Sequence, residues 1–330
     1  MLHVLLSQSG SYRDVVDYLE ARGARVTDIG APRPPGSSFY GKGDILKAML
    51  TRALLRTRKL WTRSDRVLVI GWQALPVLAA IRCGLLPRPE KILVMACFVH
   101  GMRARRIINR VWRWLKFPGM GFITFSQGEA HNLVEAVGIA PENVHFHLWR
   151  QDLYGRADAS MIGDDGSVFA GGYSNRDYDL LLRAMEDLPA PLTIVAAARN
   201  EINVALRPEK TTVLRDLPEA EFEALLARSR VVAMPLRSQG EACGQSVLLR
   251  VLRCGKALIT TRHESIEAYL GKDYPGFVRH DDQQAMRDGV ARALTDEQFR
   301  ATLVASIRTA STRLDGADGP GKEIEHFLLA

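Results

Sequence analysis

Residues 231–261, VVAMPLRSQGEACGQSVLLRVLRCGKALITT, place a strand, a polar loop, a helix and a second strand in one βαβ-sized span, and that order restricts the fold more than any other stretch. Val231–Met234 is a short apolar run closed by Pro235, and Ala257–Thr261 is another, as in strands of a buried parallel sheet. Between them the loop 237–244 is polar and contains glycine. Gly244, Gln245 and Ser246 then open a segment in which Val247, Leu248, Val251 and Leu252 recur at helical spacing. A helix start at the carboxyl end of a strand offers unpaired amides and a positive dipole end, which suits the phosphates of a nucleotide. An ordinary capped helix is the alternative, and one glycine loop does not decide between them.

The chain has 330 residues, enough for two domains, and 47% hydrophobic residues supply two cores. Cys83, Cys97, Cys243 and Cys254 are widely spaced with no CxxC pair, so neither a zinc site nor a disulfide framework is indicated. The first residues, MLHVLLSQSG, lack the basic start and apolar length of a signal peptide, and no run approaches the roughly 18 apolar residues of a membrane span. A cytoplasmic protein is expected. Charge is unevenly divided. Residues 1–150 carry 22 Lys and Arg against 10 Asp and Glu, whereas the remainder carries 22 against 27. The first half should therefore meet something anionic: a membrane leaflet, a phosphorylated acceptor or a nucleic acid.

Taken in order, Leu2–Leu6, the turn at Ser9 and Gly10, the helical stripe Val15, Val16 and Leu19, and the strand 24–29 make a βαβ opening. Residues 31–43 are loop, and 44–61 a basic helix. Strands follow at 66–70, 92–96, 122–125 and 143–148, with a capping box at Ser126–Glu129. His100 stands just beyond the strand 92–96, where open α/β sheets place ligands, although a histidine after a strand can equally be structural. From Arg103, apolar Ile107, Ile108, Val111, Trp112, Trp114 and Leu115 alternate with Arg105, Arg106, Arg110 and Arg113. Such a helix can lie in a headgroup interface on the inner face of the cell membrane, or pack into a core with solvated arginines. No recognition motif accompanies the charge, so nucleic acid is not an expected partner.

The segment GQSVLLRVLRCGKALITT resembles the donor-binding helix of GT-B glycosyltransferases of family 4 (the group 1 type), with the turn matched at Cys254-Gly255-Lys256. That family's helix usually carries the second glutamate of an E-x7-E pattern. Arg250 stands at that place, Ala242 at the first, and Glu241 one residue early. FAGGYSNRDYDLLLRAM is similar to the first donor-domain loop, with Gly171 and Gly172 at the turn and a helix from about Arg176. The resemblance implies that Arg176 meets the nucleotide diphosphate, aided by Arg199, with a surface salt bridge to Asp177 or Asp179 as the plainer reading. It implies that Leu217 lies beside the base, that Glu241, Gly244, Gln245, Ser246 and Arg250 line the donor, and that Ser9 and Gly10 face the acceptor. It also gives His100 a catalytic role in facing the transferred sugar.

The fold so implied is α/β, two Rossmann-like domains facing a cleft: 1–154 on the acceptor side, a linker at 155–167, and 168–330 binding the nucleotide sugar, its last helices returning to the first domain. The implied activity is sugar transfer from a nucleotide diphosphate sugar to a lipid-linked or polysaccharide acceptor, with retention and with neither metal nor cofactor. A catalytically silent protein of the same fold is the alternative that Arg250 raises.

Overall fold

The computed structural model describes residues 1–6, 12–29, 60–71, 73–96, 102–148, 160, 162–237, 243–315 and 321–329. Ser9, Gly10, His100, Glu241 and most of the basic helix expected at 44–61 lie outside them, as does the side chain of Arg105. The chain divides into two compact units, 1–148 with 318–330, and 149–317.

The first unit is built on a six-stranded sheet of β1 (Leu2–Leu6), β2 (Arg25–Asp28), β3 (Arg66–Ile70), β4 (Lys91–Met95), β5 (Met120–Thr124) and β6 (Val144–Phe146), in the order β2-β1-β3-β4-β5-β6. Every pairing is parallel. The central strands are continuous apolar runs because helices cover both faces. Those helices are α1 (Arg13–Glu20), α2 (Ala74–Arg82), α3 (Met102–Leu115) and α4 (Gln127–Asn132), the last continued by a π-turn to Val137. Ser126 caps α4 by accepting from the Glu129 amide at 3.2 Å.

The second unit has β7 (Val168–Gly171), α5 (Tyr178–Ala184), β8 (Leu192–Ala196), β9 (Thr211–Arg215), α6 (Glu219–Arg228), β10 (Val231–Met234), α7 (Gln245–Cys254), β11 (Ala257–Thr261), α8 (Glu264–Leu270), β12 (Phe277–Val278), α9 (Gln283–Thr295) and α10 (Glu297–Asp315). Its sheet is also six-stranded and parallel, in the order β12-β11-β10-β7-β8-β9. The chain leaves β7 toward β8 and β9, then returns to β10 on the other side. The junction of β7 and β10 is therefore the switch point, where loops leaving adjacent strands part and open a crevice. Residues 162–167, part of the stretch read as linker, pack on this unit: Gly163 and Asp165 amides donate to the Ala227 and Arg228 carbonyls at 3.0 and 2.9 Å.

The last helix, α11 (Gly321–Leu329), belongs to the first unit. Tyr18 donates to Glu325 at 2.9 Å, Arg22 pairs with the same carboxylate at 3.2 Å, and Lys91 reaches the Phe327 carbonyl at 3.0 Å. Among the described residues no helix is long and apolar enough to cross a membrane.

Candidate donor site

The carboxyl end of β7 is shaped by its glycines. A Cβ at Gly171 would collide with the rings of Phe222 and Phe169, which meet edge to face at 5.1 Å. Gly172 has φ 119°, a region that L side chains rarely adopt, and its carbonyl accepts from the Tyr178 hydroxyl at 2.6 Å. Burial pushes the Tyr178 phenol up, so it stays a neutral donor. Asn175 is also left-handed, with φ 54°.

Arg176 does not begin a helix. It forms an isolated antiparallel bridge with Leu236, and α5 starts only at Tyr178, capped by Asp177, whose carboxylate accepts from the Leu180 amide at 3.1 Å. Neither aspartate proposed as its partner takes it. Asp179 accepts from the Asn203 amide at 2.9 Å, and the cation nearest Asp177 is Arg237, at 3.9 Å. Arg176 is 5% exposed and lies across Gly172, so close that a Cβ there would strike its guanidinium. Nε donates to the Gly171 carbonyl at 3.0 Å and Nη1 to the Ser174 carbonyl at 2.7 Å. No acidic side chain among the described residues pairs with it, and burial holds its pKa below the usual guanidinium value.

Across the switch point, Gly244 (φ 83°) precedes the first turn of α7 and is packed by Ile266 and Met234. Gln245 is buried and Ser246 half-buried. Gly172, Arg176 and Gly244 are thereby neighbours: Asn175 Nδ2 lies 3.1 Å from the sulfur of Cys243, the residue before Gly244. Arg199 is exposed, reaching the Tyr173 carbonyl at 3.4 Å. Leu217 is half-buried and follows Asp216, a left-handed residue whose carboxylate accepts from the Ala198 amide at 3.1 Å. These two loops flank the β7 turn at the ends of β8 and β9.

Arg250, expected to line the donor, pairs with carboxylates of α6. Its guanidinium is directed at α6, paired with Glu219 and with Glu223 at 3.3 Å, and stands 5.2 Å over the Phe222 ring. Arg253 joins Glu223 at 2.7 Å, so this cluster clamps α7 to α6. Lys256, in the Gly-Lys turn, is likewise buried and donates to the Gly163 carbonyl.

In the first unit, α3 splits its tryptophans. Trp112 is 3% exposed and meets Phe122 edge to face at 5.2 Å, which removes it from the surface to which the sequence assigned it. Trp114 is 51% exposed and Ile107 65%, and Arg106, Arg110 and Arg113 are exposed around them. Among the described residues no group of three or more His, Cys, Asp or Glu could hold a metal ion. Sequence reading missed Tyr178, Phe222, and the buried neighbours Cys243 and His263. Only the Gly-Gly turn hinted at an aromatic packed above it.

With this geometry in hand, comparison with known proteins is informative. Residues 165–296 match the family model of glycosyl transferases group 1. This stretch is a group 1 glycosyltransferase domain. No curated protein matches the chain in sequence. Among solved structures, Anabaena Alr3699/HepE in complex with UDP-glucose has a TM-score of 0.69 at 14% identity, covering 100% of this chain and 99% of that one. The UDP-forming α,α-trehalose-phosphate synthase of Burkholderia vietnamiensis has a TM-score of 0.65 at 14% identity, covering 96% of each chain. An E. coli trehalose-6-phosphate structure bound with UDP-2-fluoro glucose has a TM-score of 0.65 at 10% identity, covering 100% of this chain and 97% of that one. The whole chain has the GT-B glycosyltransferase fold, and the stretch that matches group 1 contains the loops after β7 and β10 described above.

Proposed function

We propose that this group 1 glycosyltransferase moves a sugar from a nucleoside diphosphate sugar to a lipid-linked or polysaccharide acceptor, with retention at the anomeric carbon. The observation that carries the reading is Arg176, a buried guanidinium whose partners among the described residues are carbonyls, next to the first turn of α7. Withdrawing a cation from water without a counter-charge costs several kcal/mol, and a diphosphate arriving there would offset it. As the anomeric C–O bond breaks, charge grows on the departing diphosphate. Arg176 and the amides from Gly244 to Ser246 supply fixed positive ends for it, with Arg199 at the rim. Leu217 is assigned to the base, and His100 and Glu241, outside the described residues, to the transferred sugar. Ser9 and Gly10 are assigned to the acceptor. Uridine nucleotides are the first donors to try, since HepE is complexed with UDP-glucose and the trehalose-phosphate synthase is UDP-forming. Incubation with nucleotide sugars and membrane lipids should release nucleoside diphosphate together with labelled, extended lipid. No release with any donor would retire the catalytic reading.

A second reading is a silent protein that binds a nucleotide sugar without turning it over. Arg250 favours it, because a cation committed to Glu219 and Glu223 occupies the position of the family's usual glutamate. Donor binding without turnover on any acceptor would support it.

The acceptor reading includes the membrane. Ile107, Arg110 and Trp114 share the outer side of α3 at helical spacing, giving an amphipathic strip suited to anionic headgroups on a cytoplasmic leaflet. Replacing Ile107 and Trp114 together by Ala should cut co-sedimentation with phosphatidylserine vesicles while altering stability by only about 0.5 kcal/mol. Trp112→Ala should instead cost about 3–5 kcal/mol in a denaturant melt, because it empties a filled site in the core.

A further inference from the structure

Three loops, leaving β7, β10 and β11, converge on one sulfur beside Arg176. Cys243 is 4% exposed, and His263 is fully buried. Asn175 Nδ2 approaches Cys243 Sγ at 3.1 Å and His263 Nε2 approaches it at 3.4 Å. The backbone closes the arrangement. Ser265 Oγ lies 2.9 Å from the Cys243 carbonyl and 2.7 Å from His263 Nδ1, and the Ser265 amide approaches Nδ1 at 3.2 Å.

The Ser265 hydroxyl has one proton for the Cys243 carbonyl and His263 Nδ1, so the ring tautomer sets which atom donates across the contact between Nε2 and the sulfur. Either tautomer leaves one proton for that contact, from the neutral ring or from the thiol. Asn175 presents an amide NH2 from the other side. Sγ is therefore hydrogen-bonded to both Asn175 and His263, a polar knot beside Gly244, on which Met234 and Ile266 pack. Its neighbours in sequence explain why the position matters. Asn175 immediately precedes Arg176, and Cys243 immediately precedes Gly244, so the sulfur links the guanidinium to the α7 amides. His263 also caps α8, which anchors the knot to a third element.

We infer that Cys243, Asn175 and His263 form a positioning clasp that sets the spacing between Arg176 and the first turn of α7 to fit the diphosphate of the donor. The inference rests on the donor reading above and extends it to residues that touch no substrate.

Titration calorimetry on the full chain tests it, with UDP, ADP and GDP and the matching monophosphates as probes. Cys243→Val keeps the volume and removes the hydrogen-bonding sulfur. His263→Asn keeps the α8 cap, because its carbonyl oxygen stands near the place of Nδ1, and removes the ring partner of the sulfur. Both variants should weaken the best diphosphate about tenfold and its monophosphate less than about threefold, while Cys243→Ser, which still accepts, stays within about threefold of the parent. The melting temperature of the unliganded variants shows whether the fold persists, and His263→Asn decides the matter if Cys243→Val unfolds. Unchanged diphosphate affinity in His263→Asn overturns the clasp while leaving the donor reading intact, as does an equal loss for diphosphate and monophosphate. Failure of the unsubstituted protein to bind any diphosphate removes the donor reading and the clasp with it.

Discussion

Arg176→Met should abolish the thermal response of this protein to nucleoside diphosphates while leaving its own melting temperature unchanged or higher. The two halves of that result come from different terms. Losing the bonds to the Gly171 and Ser174 carbonyls costs about 1 kcal/mol each, but burying a cation that has no carboxylate partner among the described residues costs several kcal/mol, and methionine fills much of the same space without charge. Binding is another matter. Charge-assisted hydrogen bonds from a planar guanidinium to phosphate contribute about 2–3 kcal/mol, so the diphosphate affinity should fall roughly 30- to 150-fold. Melting curves with and without UDP read both halves, since a ligand bound only by the folded state raises the transition. A normal UDP shift in the variant would show that Arg176 is not in the donor site. A sharp loss of stability would show that it is a structural arginine, held for the β7 turn alone.

Gly171→Ala should lower the melting temperature of the second unit by about 5–10 °C and weaken donor binding with it, an overpacking cost of about 2–3 kcal/mol. The added methyl has nowhere to go. It meets the Phe222 ring, itself held edge-on by Phe169 and covered by Arg250, so α6 must shift for the side chain to fit. Because Gly171 also supplies the carbonyl that holds Arg176 Nε, the displacement reaches the guanidinium directly. Pairing the change with Phe222→Leu, which opens space beside the new methyl, should recover part of both losses. If Gly171→Ala melts like the parent, the glycine is not there for close packing and the β7 turn is softer than its contacts indicate.

The alternation of apolar runs and helical stripes is local information, and it was legible without coordinates. Buried parallel strands must be continuous and apolar, so Val67–Ile70, Ile92–Met95, Val231–Met234 and Ala257–Thr261 could be placed by composition alone. The Gly-Gly turn after β7 and the glycine before α7 were readable for the same reason, since backbone conformation there limits the residue. What side chains pair with is settled over long separations, and periodicity carries no record of it. Trp112 and Trp114 differ by two positions, hence by just over a half-turn, and only the packing of α3 on Phe122 assigns one to the core and the other to water. The pairing of Arg250 with carboxylates of α6, about thirty positions earlier, has no counterpart in the local pattern of α7. Arg176 was assigned to a helix start, but bridging to Leu236 holds it in an extended turn and buries it. The order of elements is thus a property of the chain read residue by residue. The Cys243 clasp, the Arg250 clamp and the return of α11 to Tyr18 and Lys91 exist only once distant segments meet, because burial and hydrogen bonding are properties of the assembled fold.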